Sequence, residues 1–158
     1  MSALRWSDAL SLELSRMDET HREFVDLLAV VADAADADLL AAWERLVEHT
    51  DAHFGQEDRW MAQTRFASTN CHATQHRVVL KVLREGLSAG AAGRLDAIRQ
   101  LARELALWFP QHAQTMDAAL ALHLRNVGFD PVAGEVTRPG RLPADAITGC
   151  GSASCADA

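Results

Sequence analysis

The sequence predicts an all-α protein, an antiparallel up-down-up-down four-helix bundle with an irregular N-terminal lead-in and a loose C-terminal tail. Three observations predict it. Apolar residues recur at alternating spacings of three and four along several segments, the period of an amphipathic helix. Short connections join these segments, which favours antiparallel neighbours. Ala and Leu dominate and Tyr is absent, a composition that prefers helix to strand.

Residues 1–16 read as the lead-in, which contains Trp6. A first helix is expected from near Met17, with Phe24, Leu27, Leu28 and Val31 along one face. Asp38 is a candidate cap for a second helix, whose inward stripe runs Leu39, Trp43, Leu46, Thr50, His53, Glu57 and Trp60. Residues 65–70 read as a connection. A third helix carries His72, His76, Val79, Leu80 and Leu83 and is expected to end around Gly86, because residues 88–93 are glycine-rich and read as a turn. A fourth carries Leu95, Ile98, Ala102, Leu105, Trp108 and His112. Residues 1–130 therefore form the helical domain. Residues 131–158 hold three of the four prolines and show no periodicity, so a disordered tail is expected.

Composition narrows the function classes. A chain of 158 residues suits one domain with a sizeable core. The net charge of −7 argues against nucleic acid, whose phosphates call for clustered Lys and Arg. No run of about 18 apolar residues is present, so no membrane span is expected. Asp8 and Glu13 interrupt any secretory leader, which makes a cytoplasmic location the expectation. Cys71, Cys150 and Cys155 are an odd number, so they read as reduced thiols and not as a disulfide framework.

The informative residues are those that break the apolar stripes. His53 and Glu57 lie one turn apart, about 40° around the helix axis, and His72 and His76 repeat that geometry. His21 continues the stripe of Phe24 and Leu28, and His112 that of Leu105 and Trp108. Asp117 follows His112 by five residues, which in a regular helix leaves it about 140° away. Both face inward only if the helix widens to a π-turn, and Pro110 gives a local reason for such a distortion between Phe109 and Asp117. Taken singly, each residue has an ordinary explanation: a hydrogen-bonded core histidine, or a surface carboxylate. His49 and His53 form a further pair at the same spacing, a reminder that spacing alone is weak evidence. As a set, five imidazoles and two carboxylates on the inward faces of four helices would be costly to bury without a metal.

Seven ligands exceed one tetrahedral zinc site. Imidazole with carboxylate and no cysteine suits iron, and each carboxylate is able to bridge two ions. With one oxo or hydroxo bridge, such a set leaves one position open on a pair of six-coordinate irons.

At this point the sequence resembles the hemerythrin family, particularly its single-domain bacterial members. Trp6, Met17-Asp-Glu-Thr-His21, His53-Phe-Gly-Gln-Glu57, His72-x3-His76, Trp108-Phe-Pro-Gln-His112 and Asp117 occur in the family's order over roughly residues 6–130. The resemblance implies two iron ions (Fe2+/Fe3+) with an oxo or hydroxo bridge. One would be held by His72, His76 and His112, the other by His21 and His53, with Glu57 and Asp117 bridging and the open position on the second. It implies reversible binding of dioxygen for storage, delivery or buffering, not an enzyme, with an oxygen-consuming enzyme as the partner that delivery would serve. Phe24, Phe54, Trp108 and Thr115 are the implied oxygen-pocket residues. Thr115, one turn beyond His112, would put a hydroxyl there and favour loss of bound oxygen.

Asp58 replaces a second glutamate common in the family and is expected on the solvent side or supporting the ligands. His49 stands where an aromatic is common, and His123 is expected near the surface. Two other readings remain: a di-iron oxidase, peroxidase or nitric-oxide-reducing enzyme, and a sensing module acting through a partner. The first is disfavoured because ferritin-like sites use paired Glu-x-x-His motifs, which this chain lacks. The second is disfavoured because the tail is too short to be a signalling domain.

Overall fold

The computed structural model describes residues 4–66 and 71–147. Helix α1 (Ser15–Asp33) is followed by α2 (Asp36–Gln63), α3 (Cys71–Ala91) and α4 (Leu95–His112). One π-turn (Ala113–Asp117) then leads into α5 (Ala118–Val127). Consecutive long helices pack against each other and α1 also packs against α4, which closes the up-down-up-down bundle.

The lead-in is tied down at the start of α1. A 3-10 turn (Asp8–Leu10) buries Leu10. Asp18, in the first turn of α1, accepts from the Leu12 backbone N–H at 2.8 Å and the Ser11 hydroxyl at 2.7 Å, holding the incoming chain across the helix N-terminus. Helix α2 begins two residues before Asp38. Ala35 is its N-cap, and Asp36 and Asp38 both sit in the first turn, where carboxylates oppose the helix dipole. Asp38 is therefore not a cap.

Helix α3 runs past Gly86 to Ala91, beyond the end expected from sequence. Its glycines are packing residues. A Cβ on Gly86 would lie 2.5 Å from Leu101 Cδ1 and 3.2 Å from Trp43 Nε1, and one on Gly90 would collide with Ile98. Glycine lets α3 approach α2 and α4 closely, and this packing outweighs its modest helix penalty. The chain turns instead at Gly93, with φ of +83°. Helix α5 ends at Gly128, in the left-handed conformation of a helix C-cap.

Residues 131–147 are not a loose tail. Strands β1 (Phe129–Asp130) and β2 (Glu135–Val136) pair antiparallel. The Thr137 N–H donates to the Gly128 carbonyl at 2.7 Å, and the Ile147 N–H to the Arg65 carbonyl at 2.8 Å. Arg65 donates to the Pro143 carbonyl at 2.8 Å. Val136, Leu142 and Ile147 cover the bundle end formed by Trp60, Phe66, Leu124 and Phe129. Residues without periodicity thus gain order by capping an apolar end. Cys150 and Cys155 lie outside the described residues.

The core is in two parts. One gathers Phe24, Leu28, Trp43, Leu46, Leu83, Ile98, Leu105 and Phe109. The other gathers Met17, Trp60, Met61, Phe66, Leu120 and Leu124. Helices α1, α2 and α3 each pass from one part to the other, α4 does so through the π-turn into α5, and the polar residues fall at the crossing: His21 between Met17 and Phe24, Glu57 between Leu46 and Trp60, His76 between Ala73 and Leu83, and Asp117 between Phe109 and Leu120. Among the described residues no helix is long and apolar enough to cross a membrane.

Candidate metal centre

Each helix delivers its polar residues at this crossing. Helix α1 supplies His21, α2 supplies His53 and Glu57 one turn apart, α3 supplies His72 and His76 one turn apart, and α4 ends on His112. The π-turn then does what a regular helix cannot. Its i→i+5 bonding reduces the rotation per residue, so Asp117 returns to the inward side while Gln114 and Thr115 face solvent. The widening lies just beyond Pro110, which lacks the N–H that a regular helix would use there.

All seven residues are buried, none more than 2% exposed. Their ligating atoms form two overlapping groups. Glu57, His72, His76, His112 and Asp117 make one, and His21, His53, Glu57 and Asp117 the other, with the atoms of each group within 4.8 Å of one another. The carboxylates belong to both. Glu57 Oε1 lies 3.3 Å from His21 Nε2 and 3.0 Å from His53 Nε2, while Glu57 Oε2 lies 3.4 Å from both His72 Nε2 and His76 Nε2. Asp117 Oδ2 lies 3.2 Å from His21 Nε2, and Oδ1 lies 2.9 Å from His72 Nε2 and 3.0 Å from His112 Nε2. Each carboxylate thus turns one oxygen to each half of the cluster.

The outer ring nitrogens divide the cluster differently. His76 Nδ1 donates to Asp58 Oδ1 at 2.9 Å, and His112 Nδ1 donates to Gln75 Oε1 at 2.7 Å. The Nδ1 atoms of His21, His53 and His72 are buried without a hydrogen-bond partner. Phe54 stacks on His76 with ring centroids 4.0 Å apart and planes 3° from parallel, and Trp108 stacks on His112 at 4.4 Å. On the other half, Phe109 meets His21 edge-on at 5.2 Å and Phe24 meets His53 at 6.1 Å.

Burial works against charge on every one of these groups, and their neighbours decide the outcome. Burial pulls the His21 pKa down, yet hydrogen bonds to Asp117 and Glu57 and their negative charge push it up to about 10. The same balance raises His72 to about 9. His76 is raised against burial by its bonds to Asp58 and Glu57. His53 goes the other way, since burial outweighs the attraction of Glu57. Burial opposes ionisation of Glu57, but the charge of His53 and hydrogen bonds from His21, His53 and His72 hold it well below the carboxylate range. Asp117 is opposed by burial and by Glu57, and His112 and His21 hold it low. Without a cation the cluster stays neutralised only by keeping protons on imidazoles.

The residues fit a metal pair. Among the described residues, every buried side-chain N or O atom without a well-aligned hydrogen bond belongs to this cluster, and four of them, Glu57 Oε2, His72 Nε2 and both Asp117 oxygens, face other ligand atoms of the cluster at 2.9–3.4 Å. Orphaned buried polar atoms are rare and call for a partner, and cations between the two ligand groups would satisfy all four.

The structure brings His21, His53, Glu57, His72, His76, His112 and Asp117 together, and it separates the expected pocket residues. Phe24 lines the two-histidine half. Phe54 stacks on His76 of the three-histidine half and also meets His53 at a tilt, 5.3 Å away, while Trp108 stacks on His112. Thr115 is not a pocket residue: its hydroxyl is exposed and donates to the Gln111 carbonyl at 2.7 Å. Counting one α-turn from His112 fails inside a π-turn.

Two residues escaped the sequence reading. Phe109, fully buried and 4.5 Å from Phe24, completes the apolar wall beside His21; its place four residues after Leu105 was the available signal. Gln75 had no signal beyond standing beside His76. The His49 ring lies 6.0 Å from that of His53, but its Nε2 donates to the Thr20 carbonyl at 3.1 Å and its Nδ1 lies 3.7 Å from Glu23, so neither nitrogen joins the ligand atoms. His123 is partly buried and donates to the Thr64 carbonyl at 2.9 Å, pinning α5 to the end of α2.

The family model described as hemerythrin HHE cation binding domain matches residues 12–123. A bacteriohemerythrin of Ralstonia nicotianae is 37% identical over 130 residues, which covers 82% of this chain and 95% of that protein. Bacteriohemerythrins of Stenotrophomonas maltophilia and Pseudomonas paraeruginosa are 26% and 25% identical, over 77% and 75% of this chain and 81% and 79% of their own lengths. No solved structure matches the chain.

Proposed function

This chain belongs to the hemerythrin family, and from that premise we propose that it binds dioxygen reversibly at two iron ions joined by an oxo or hydroxo bridge. The observation that carries the reading is the shared carboxylate pair, flanked by three imidazoles on one side and two on the other. Imidazole with carboxylate, and no thiolate, suits iron. Iron in this setting supplies the electrons that dioxygen draws on when it binds and takes them back when it leaves.

The chain's own residues do the rest. Together with the carboxylates, His72, His76 and His112 would hold one ion. His21 and His53 would hold the other ion with one protein ligand fewer, which would leave room there for a small ligand. Phe24 and Phe109, both fully buried, present apolar rings beside His21 and His53. Such a wall excludes the water and protons that would otherwise draw the bound ligand off as a reduced product. This favours a binding protein over an oxidase, acting in oxygen storage, delivery or buffering. A cytoplasmic location and an oxygen-consuming enzyme as recipient belong to the same proposal.

The test is anaerobic reconstitution with ferrous iron, metal counting, then exposure to air and afterwards to vacuum. Two irons per chain and a visible absorption band that grows in air and disappears under vacuum are expected. Immediate conversion to a stable ferric form with release of hydrogen peroxide would make the protein an oxidase, and retention of zinc alone would remove iron from the account.

A further inference from the structure

The two halves of the centre differ in how far their ligands are fixed. Gln75 sits one turn before Val79 on α3, partly buried at the edge of the cluster. Its Oε1 lies 2.7 Å from His112 Nδ1 and 3.2 Å from Trp108 Nε1. An indole N–H only donates, so the amide atom facing it is the oxygen. The same oxygen then obliges His112 Nδ1 to carry its hydrogen, which leaves the Nε2 lone pair directed inward. Asp58, a carboxylate on α2, does the same for His76 through a 2.9 Å bond. Nothing of the kind holds His21 or His53, whose Nδ1 atoms are buried without partners.

We infer that Gln75 and Asp58 are positioning residues that make the centre load in order, the three-histidine half taking its ion first and holding it more tightly. The inference rests on the metal-centre reading and adds an order to it. An imidazole ligand must present its lone pair at a fixed angle, and an acceptor on its other nitrogen selects that tautomer and raises its basicity. Two of the three rings in one half meet that condition before any ion arrives, and neither ring in the other half does. The donor count points the same way. His72, His76 and His112 join both carboxylates in one group, whereas only His21 and His53 join them in the other. Trp108 strengthens the arrangement, since its stacking on His112 at 4.4 Å and its bond to Gln75 lock the ring from two directions. The consequence is a singly loaded state in which the two-histidine half alone is empty, and a centre that loses that ion first to a chelator.

The test titrates metal-free full-length protein with cobalt(II) chloride under nitrogen, followed by calorimetry and by the visible d–d bands. Two resolved steps of one ion each are expected, the tighter first. His53→Ala keeps the tight step and loses the weak one. Gln75→Leu weakens the tight step by about 10- to 100-fold, the usual cost of losing an outer partner of a metal ligand, and leaves the weak step unchanged. Gln75→Glu, which still offers an oxygen to both N–H groups, restores the tight step. A merely structural role for Gln75 would weaken both steps together and lower the melting temperature of the metal-free protein. Uptake of two ions in a single step, loss of the tight step in His53→Ala, or an unchanged tight step in Gln75→Leu would each overturn the order while leaving the metal centre standing. Failure to bind any cobalt would overturn the centre itself.

Discussion

His76 and His112 each lie between a stacked aromatic ring and a hydrogen-bond acceptor, whereas His21 and His53 meet Phe109 and Phe24 and have no acceptor on their outer nitrogens. The same two carboxylates serve both pairs. The contrast shows how one bundle makes two unlike halves from one residue vocabulary. Polar support on one side suits an ion that stays in place. Apolar walls on the other suit an ion that exchanges a small uncharged ligand.

Removing what the halves share has the largest effect. Asp117→Ala is expected to lower metal content from two ions per chain to one or none and to abolish reversible oxygen uptake, read by metal analysis and visible absorption. Retention of two ions would show that Asp117 bridges nothing.

The next effect comes from protons. His21 and His72, raised to about 10 and about 9, keep protons at neutral pH in the metal-free protein. Ligation must displace them, so metal binding at pH 7 should release at least these two protons per chain, measurable by calorimetry in buffers of differing ionisation enthalpy. The sign for stability follows from the upward shifts. The protonated rings stabilise the metal-free fold fully below the ordinary value of 6.5, and this contribution is lost as pH rises through about 9 and 10. Glu57 and Asp117 shift downward, so their contribution is present above the ordinary carboxylate values and lost in acid. The metal-free protein should therefore melt at a lower temperature at pH 10 than at pH 6.5, and metal should remove most of that alkaline loss.

Phe109→Leu sharpens the contrast on the apolar side alone. Reshaping a packed core site costs roughly 1 kcal/mol, so the fold should survive. Irreversible oxidation of the iron-loaded protein should quicken several-fold, followed by decay of the reversible band, with metal content unchanged. Thr115→Val has the smallest effect. Its exposed hydroxyl bonds only to the preceding turn, so stability should stay within about 0.5 kcal/mol and the oxidation rate should not move.

Residues that repeat with a helical period were legible in the sequence, and so were their interruptions. His21, His53, Glu57, His72, His76 and His112 stand out because a polar group on an apolar stripe is costly. Asp117 was legible through its misfit: five residues from His112 requires a π-turn, and the structure contains one at Ala113–Asp117. Thr115 was misplaced because the same widening moves every residue inside it, and only Asp117 was counted accordingly. Gly86 and Gly90 read as helix breakers because sequence records their weak propensity but not the approach of Trp43 and Ile98 that calls for a missing Cβ. The order of residues 131–147 was hidden for a related reason. Val136, Leu142 and Ile147 form no period and gain their places from an apolar bundle end made by distant residues. Gln75 was invisible because its partners come from another helix.

Anomalous diffraction at the iron edge, from crystals of the iron-loaded protein, tests the shared pair most directly. Two peaks are expected, one among His72, His76 and His112 and one beside His21 and His53, with Glu57 and Asp117 each touching both. A single peak, or two peaks with either carboxylate bound to only one of them, would contradict it.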